Sequence, residues 1–495
     1  MGRRSQKTRV FRFWKRCRNK ALVGNLSHAK AIRLVELAAA AGQWSQLRRW
    51  LPHLLRSGVC LGERAGSAIA IAAWLRKQQR LKLAMLCLEE VPWEQADADA
   101  WLLRGEIEHS LERFVDAQIS LARAMTKASL QVVVSYRLGE LHRSLGQSDQ
   151  AAGWFLASLM RDPGYFFSHN SLQYTHFSAA LLPRVISQYE EMVKKVPGHA
   201  LPQQLLALYL LKAGRREDAI TVARSASRLE LGSREGALAD GAVAPLPPDV
   251  VIIGVPKAGT TSLLRCLSHH PLIWCHPRKE LHFFDQDFHF GEEWYRAQFP
   301  VFRKEAGILR GESTPNYFSH PLAASRMAAL MPKGKCVLLL RDPIERAISW
   351  IRHLQRLQGL SADVESLLRR ELTAMADLEP HELFAQDQVF TRGLLDSCYD
   401  QPLDRWLQNF PAEQVLLVSS EKLFCNPEQE LAAVLAFLGL PEDVSALMPN
   451  WRPLNVNPRP AISISADLRS ALESFFRRHS EGSLSRFQDQ AVPLF

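Results

Sequence analysis

The run Pro256-Lys257-Ala258-Gly259-Thr260-Thr261-Ser262 gathers an amine, a glycine and three hydroxyls within seven residues. The apolar, β-branched run Val250-Val251-Ile252-Ile253-Gly254 stands before it, and Leu263, Leu264 and Leu267 stand after it at helical spacing. The first reads as a strand buried on both faces of a parallel sheet, the second as the start of a helix. Strand, glycine-containing turn and helix together aim backbone N–H groups and a helix N-terminus at an anion. The nucleotide-hydrolase loop GxxxxGK[ST] almost fits on Gly254, Gly259 and Thr261. However, Thr260 occupies the place of its lysine, and the amine lies at Lys257 on the other side of the turn. That displacement argues against ordinary ATP or GTP hydrolysis, which needs the lysine on the terminal phosphates. A second apolar strand, Cys336-Val337-Leu338-Leu339-Leu340, ends at Arg341-Asp342-Pro343, and Ser349 follows in a helical run.

These two strand-ends, taken in order, resemble the sulfotransferase family. Lys257 to Leu263 looks like its 5'-phosphosulfate loop, and Arg341 with Ser349 matches its 3'-phosphate pair. Arginine offers a fork for a dianion, and serine a short hydroxyl donor. Lys279-Glu280-Leu281-His282-Phe283-Phe284-Asp285 and Gly311-Glu312-Ser313-Thr314-Pro315-Asn316-Tyr317-Phe318 resemble motifs of the carbohydrate, heparan-type branch. Leu403 to Pro411 resembles the helix after the acceptor region. Ser313 departs from that branch, which usually carries lysine after the glutamate. Asn455 to Arg459 is a loose match to the family's last cofactor-binding loop.

The resemblance implies a P-loop α/β domain with a central parallel sheet. It also implies 3'-phosphoadenosine 5'-phosphosulfate (PAPS) as co-substrate, no metal, and transfer of a sulfuryl group to an acceptor hydroxyl or amine, with a glycan favoured and a small molecule or protein as alternatives. Lys257, Ala258, Gly259, Thr260, Thr261 and Ser262 would hold the 5'-phosphosulfate, and Arg341, Ser349 and Arg459 the rest of the donor. Glu280 is the candidate base, assisted or ordered by His282, with Phe283 and Phe284 supplying the burial that raises a carboxylate's basicity. Lys257 would act catalytically on the leaving oxygen. Arg278 and Lys279 would meet an acidic acceptor or form a solvated turn, and Trp274 and Trp294 would line the cleft or pack the core. The alternatives are a P-loop kinase or NTPase, and a repeat scaffold with a degenerate transferase domain.

Such a domain occupies only the second half of the chain. The 495 residues, 47% hydrophobic and 23% charged, exceed one core and imply two or three domains. Ala117, Ala151 and Ala219 fall on a 34-residue grid, with Gly105 and Gly139, and Pro163 and Pro197, at the same spacing. The unit Val132 to Asp162, with Leu138-Gly139, Ala151 and Phe155, resembles a tetratricopeptide repeat, a pair of helices with small residues where they cross. Residues 25–231 therefore read as an all-α tetratricopeptide-like solenoid that binds a protein or peptide partner. Residues 232–248, rich in Gly, Ala and Pro, read as a linker, and 249–495 as the transferase domain.

The formal charge of +10 is a property of the N-terminus. Residues 1–20 hold nine bases and no acid, and removing these nine from the 61 leaves 52 bases against 51 acids. A nearly neutral body speaks against nucleic acid as a partner. Residues 1–24 read as a disordered basic tail, or as an arm making peripheral contact with an anionic membrane. No apolar run approaches the roughly 18–20 residues of a membrane-spanning helix. The eight scattered cysteines form no zinc spacing and read as reduced thiols, so a cytoplasmic location is expected.

Overall fold

The computed structural model describes residues 61–239, 244–358, 363–383, 391–454 and 464–479, except 79 and 377, together with scattered positions between 35 and 55. The chain divides into two compact units between Leu181 and Leu182. The basic tail and Arg459 lie outside the described residues.

The first unit is helical: α1 (Leu61–Lys77), α2 (Leu81–Leu88), α3 (Ala98–Ser110), α4 (Phe114–Ala124), α5 (Gln131–Ser144), α6 (Ser148–Arg161) and α7 (Phe166–Gln173). Consecutive helices pack in pairs, and Gly105, Ala117, Gly139 and Ala151 of the 34-residue grid lie at their crossings. A Cβ on Gly105 of α3 would fall 2.8 Å from Leu121 of α4, and one on Gly139 of α5 would fall 2.4 Å from the Phe155 ring of α6. Ala117 and Ala151 are fully buried. Glycine is required at both crossings because the facing side chain occupies the volume of a methyl group.

The second unit begins ahead of the expected boundary. Helices α8 (Leu182–Lys195), α9 (Ala200–Lys212) and α10 (Arg216–Ser227) belong to it, although they continue the helical rhythm of the first half. The segment expected to be a linker is tied down where it is described. Arg234 donates to the carbonyls of Pro271, Ser268 and His270, and Leu238 forms a bridge with Phe302. Its Gly and Pro content reflects an irregular path over a surface rather than a loose connection.

Five strands then form a parallel sheet in the order β2-β3-β1-β4-β5: β1 (Val250–Gly254), β2 (Ile273–Cys275), β3 (Leu309–Ser313), β4 (Lys335–Leu340) and β5 (Val415–Ser419). Every residue of β1 is buried, as its unbroken apolar run demands of a central parallel strand. Helices α11 (Thr260–Leu267), α12 (Glu292–Ala297), α13 (Ala323–Leu330), α14 (Pro343–Gln358), α15 (Val364–Met375), α16 (Asp400–Asn409), α17 (Ser420–Cys425), α18 (Pro427–Leu438) and α19 (Ala466–Arg478) accompany it. β1 has β3 on one side and β4 on the other, so connections leave it in both directions. The crevice at the carboxyl ends of such strands is where open α/β sheets bind ligands. No described helix is long and apolar enough to cross a membrane.

Candidate active site

The loop from β1 into α11 is built on two left-handed residues, Lys257 (φ 74°) and Gly259 (φ 99°). Gly259 precedes the first turn of α11, and a Cβ there would fall 2.9 Å from the Phe424 ring. The loop therefore needs glycine for its backbone and for the close approach of that ring. Ala258 is fully buried beneath it.

The hydroxyls of the loop are engaged. Lys279 Nζ lies 2.6 Å from Thr261 Oγ1 and 3.4 Å from Thr260 Oγ1, and the Leu454 amide donates to Ser262 Oγ at 2.9 Å. In each contact the hydroxyl oxygen accepts, which leaves its proton to donate elsewhere.

Arg341, at the end of β4, donates from Nη1 to the Lys257 carbonyl at 3.0 Å. The two sequence motifs therefore meet, because β4 is the direct neighbour of β1. The turn after Arg341 is fixed by Tyr399, whose hydroxyl donates to the Arg341 carbonyl at 2.9 Å. Glu421 fixes it too, accepting from the Asp342 amide at 3.0 Å. Ser349 lies half-buried on α14.

A chain of charges runs from this loop to the candidate base. Lys279 Nζ is 3.2 Å from Glu280, Glu280 is 3.5 Å from His282 Nε2, and His282 Nδ1 is 2.8 Å from Asp285. Burial acts to raise the Glu280 carboxyl, but Lys279 and His282 outweigh it and hold it down at about 2. Burial acts to lower the His282 imidazole, but Asp285 and Glu280 outweigh it and lift it to about 9. At neutral pH the pair is carboxylate and imidazolium. This is opposite in sign to the sequence expectation of a carboxyl raised by aromatic burial. Phe283 and Phe284 are fully buried, but they pack on Tyr295 and Tyr317.

Residues 247–483 match the family model of the sulfotransferase domain. Residues 247–483 form a sulfotransferase domain. Heparan sulfate glucosamine 3-O-sulfotransferase 3B1 of Mus musculus is 32% identical over 282 residues, which cover 56% of this chain and 66% of that protein. Heparan sulfate glucosamine 3-O-sulfotransferase 3A1 of Homo sapiens is 35% identical, over 39% of this chain and 44% of that protein. Bifunctional heparan sulfate N-deacetylase/N-sulfotransferase 1 of Xenopus tropicalis is 32% identical, over 39% and 22%. The chain spans less than two thirds of the length of each of these relatives. Among solved structures, a sulfotransferase from Alicyclobacillus acidocaldarius is 27% identical with a TM-score of 0.35, covering 49% of this chain and 95% of that one.

Within the sulfotransferase domain, Lys257 through Ser262, Arg341, Glu280 and His282 lie along one continuous set of contacts. Trp274 and Trp294 are core residues, both buried. Arg278 is also buried and donates to the Leu281 carbonyl at 3.2 Å, so it is neither solvated nor open to an acceptor. The sequence links Lys279 to neither Thr260 nor Thr261 and marks no role for Asp285, Tyr399 and Glu421. Asp285 stands three residues after His282, and the turn between them brings the two side chains to 2.8 Å. Tyr399 and Glu421 carry no local signal. The described residues hold no cluster of metal-ligating side chains, and their cysteines are free.

Proposed function

We propose that the domain transfers the sulfuryl group of PAPS to an acceptor hydroxyl or amine, with a glycan as the favoured acceptor class. The observation that carries this reading is the bond from Arg341 to the Lys257 carbonyl, which joins an anion loop to a dianion fork at neighbouring strand ends. The heparan sulfate sulfotransferases that the domain resembles support the glycan. In the proposed step the acceptor oxygen bonds to sulfur, and the bond from sulfur to the bridging oxygen breaks. The acceptor proton passes to Glu280, and adenosine 3',5'-bisphosphate leaves. Lys257 and the N–H groups at the start of α11 stabilise charge on the departing phosphate. A carboxyl held at about 2 is a weak base. It suits a proton that is released late, once bonding to sulfur has made the acceptor oxygen acidic.

The helical half supports a tetratricopeptide-like solenoid that recruits a partner or the acceptor, on the strength of the recurrent crossings at Gly105 and Gly139. The donor reading is tested by calorimetry on the full chain. Adenosine 3',5'-bisphosphate is expected to bind without magnesium, and more weakly to Arg341→Ala. Binding of Mg-ATP in its place would favour a kinase or NTPase.

A further inference from the structure

Four consecutive backbone amides of the base-bearing loop are captured by one short segment at the end of β3. The Glu280 N–H donates to the Ser313 carbonyl at 3.1 Å. The Leu281 and His282 N–H groups both donate to Thr314 Oγ1, at 3.0 and 3.4 Å. The Phe283 N–H donates to the Tyr317 hydroxyl at 2.9 Å. Thr314 in turn donates its own proton to Glu312 at 2.8 Å, so the lone pairs of its oxygen face the loop. Glu312 is fully buried and also accepts from the Tyr295 hydroxyl at 2.9 Å.

The loop needs this restraint. Glu280 (φ 64°) and His282 (φ 55°) are both left-handed without being glycine. Such residues persist only where their surroundings over-determine them. Their side chains meet, with His282 Nε2 3.5 Å from Glu280.

We propose that Thr314, oriented by the buried carboxylate of Glu312, is a positioning residue that latches the loop and brings Glu280 and His282 together for proton transfer. The inference rests on the proposed reaction and deepens it. The segment 312–317 touches the loop's backbone rather than a substrate, and its effect reaches the chemistry only through Glu280 and His282. Burial pushes the Glu312 carboxyl up to about 7 against the hydrogen bonds of Thr314, Tyr295 and Tyr317. Those donors are what keep it an acceptor.

The test uses the full chain with Thr314→Val, which keeps the shape and removes the hydroxyl, and Thr314→Ser, which restores it. In the valine variant, amide hydrogen exchange at Leu281 and His282 is expected to accelerate at least tenfold, with β1 unchanged. Transfer of labelled sulfate from PAPS to heparan sulfate should fall about 100-fold, the effect of a misplacement of about 1 Å, while adenosine 3',5'-bisphosphate binds as in wild type. Serine should restore both. Unchanged exchange at the two amides, or unchanged transfer, overturns the latch. Should the valine variant fail to fold, Tyr317→Phe removes the acceptor of the Phe283 amide together with the Tyr317 hydroxyl's bond to Glu312. Faster exchange there supports the latch, and unchanged exchange overturns it. A wild-type chain that neither binds the bisphosphate nor transfers sulfate refutes the reaction, and the exchange data still judge the latch.

Discussion

Asp285→Asn separates the charge on His282 from the shape of its site. His282 lies 2.8 Å from Asp285 and 3.5 Å from Glu280, and these carboxylates lift its imidazole from 6.5 to about 9 against burial. A rise of that size corresponds to about 3 kcal/mol of preference for the charged form. The shorter contact carries the larger share, so asparagine should bring the midpoint well down from about 9. The sign follows from linkage. A folded-state pKa above the unfolded one contributes stability that is fully present below about 6.5 and is lost as pH rises through about 9. The substitution should therefore destabilise the domain at pH 6 and leave it almost unaffected at pH 10. The assay is an NMR titration of labelled histidine, with the His282 signal assigned by its loss in His282→Gln. Of the charged groups facing His282, Glu280 and Asp287 remain in the variant. A variant midpoint still near 9, or a wild-type midpoint near 6.5, would refute the ion-pair account of the site.

Three further outcomes are expected. Gly259→Ala puts a Cβ on a residue at φ 99° and 2.9 Å from the Phe424 ring. It should cost about 1–2 kcal/mol of stability from the backbone alone and weaken bisphosphate binding. Melting and calorimetry read the two effects, and trimming Phe424 should not restore the first. Gly139→Ala places a methyl group 2.4 Å from Phe155 in the helical unit. It should destabilise that unit by about 1–3 kcal/mol and leave donor binding intact, as followed by circular dichroism and calorimetry. Lys279→Met removes a cation that holds the Glu280 carboxyl at about 2. The acid limb of the pH–rate profile should move upward, toward 4.5 but not past it while His282 remains charged.

Much of the backbone around the β1–α11 loop was legible in the sequence, because its signals are local. An unbroken β-branched run makes a central strand, and a glycine between a strand and a helix makes a tight loop at a helix N-terminus. The pairing of Lys257 with Arg341 required the family resemblance, since nothing in either segment says that β4 lies beside β1. The electrostatics around Glu280 were misjudged. The aromatic residues after His282 read as the environment of Glu280, whereas their rings turn into the core and leave the carboxylate among Lys279, His282 and Asp285. Side-chain direction in a loop with left-handed residues follows neither helical nor strand periodicity. The anchoring of residues 232–248 was missed for a related reason. Composition marks irregular backbone, but it does not show that Arg234 anchors that backbone to the carbonyls of residues 268–271.

The most direct measurement of the central claim is transfer of labelled sulfate from PAPS to heparan sulfate and to a cell extract, comparing wild type with Lys257→Ala. The account predicts a labelled product with wild type and a loss of at least 100-fold with the variant, the scale of removing one donor to a developing anion. Labelled product formed equally by both proteins, or by neither despite demonstrated binding of the bisphosphate, would contradict it.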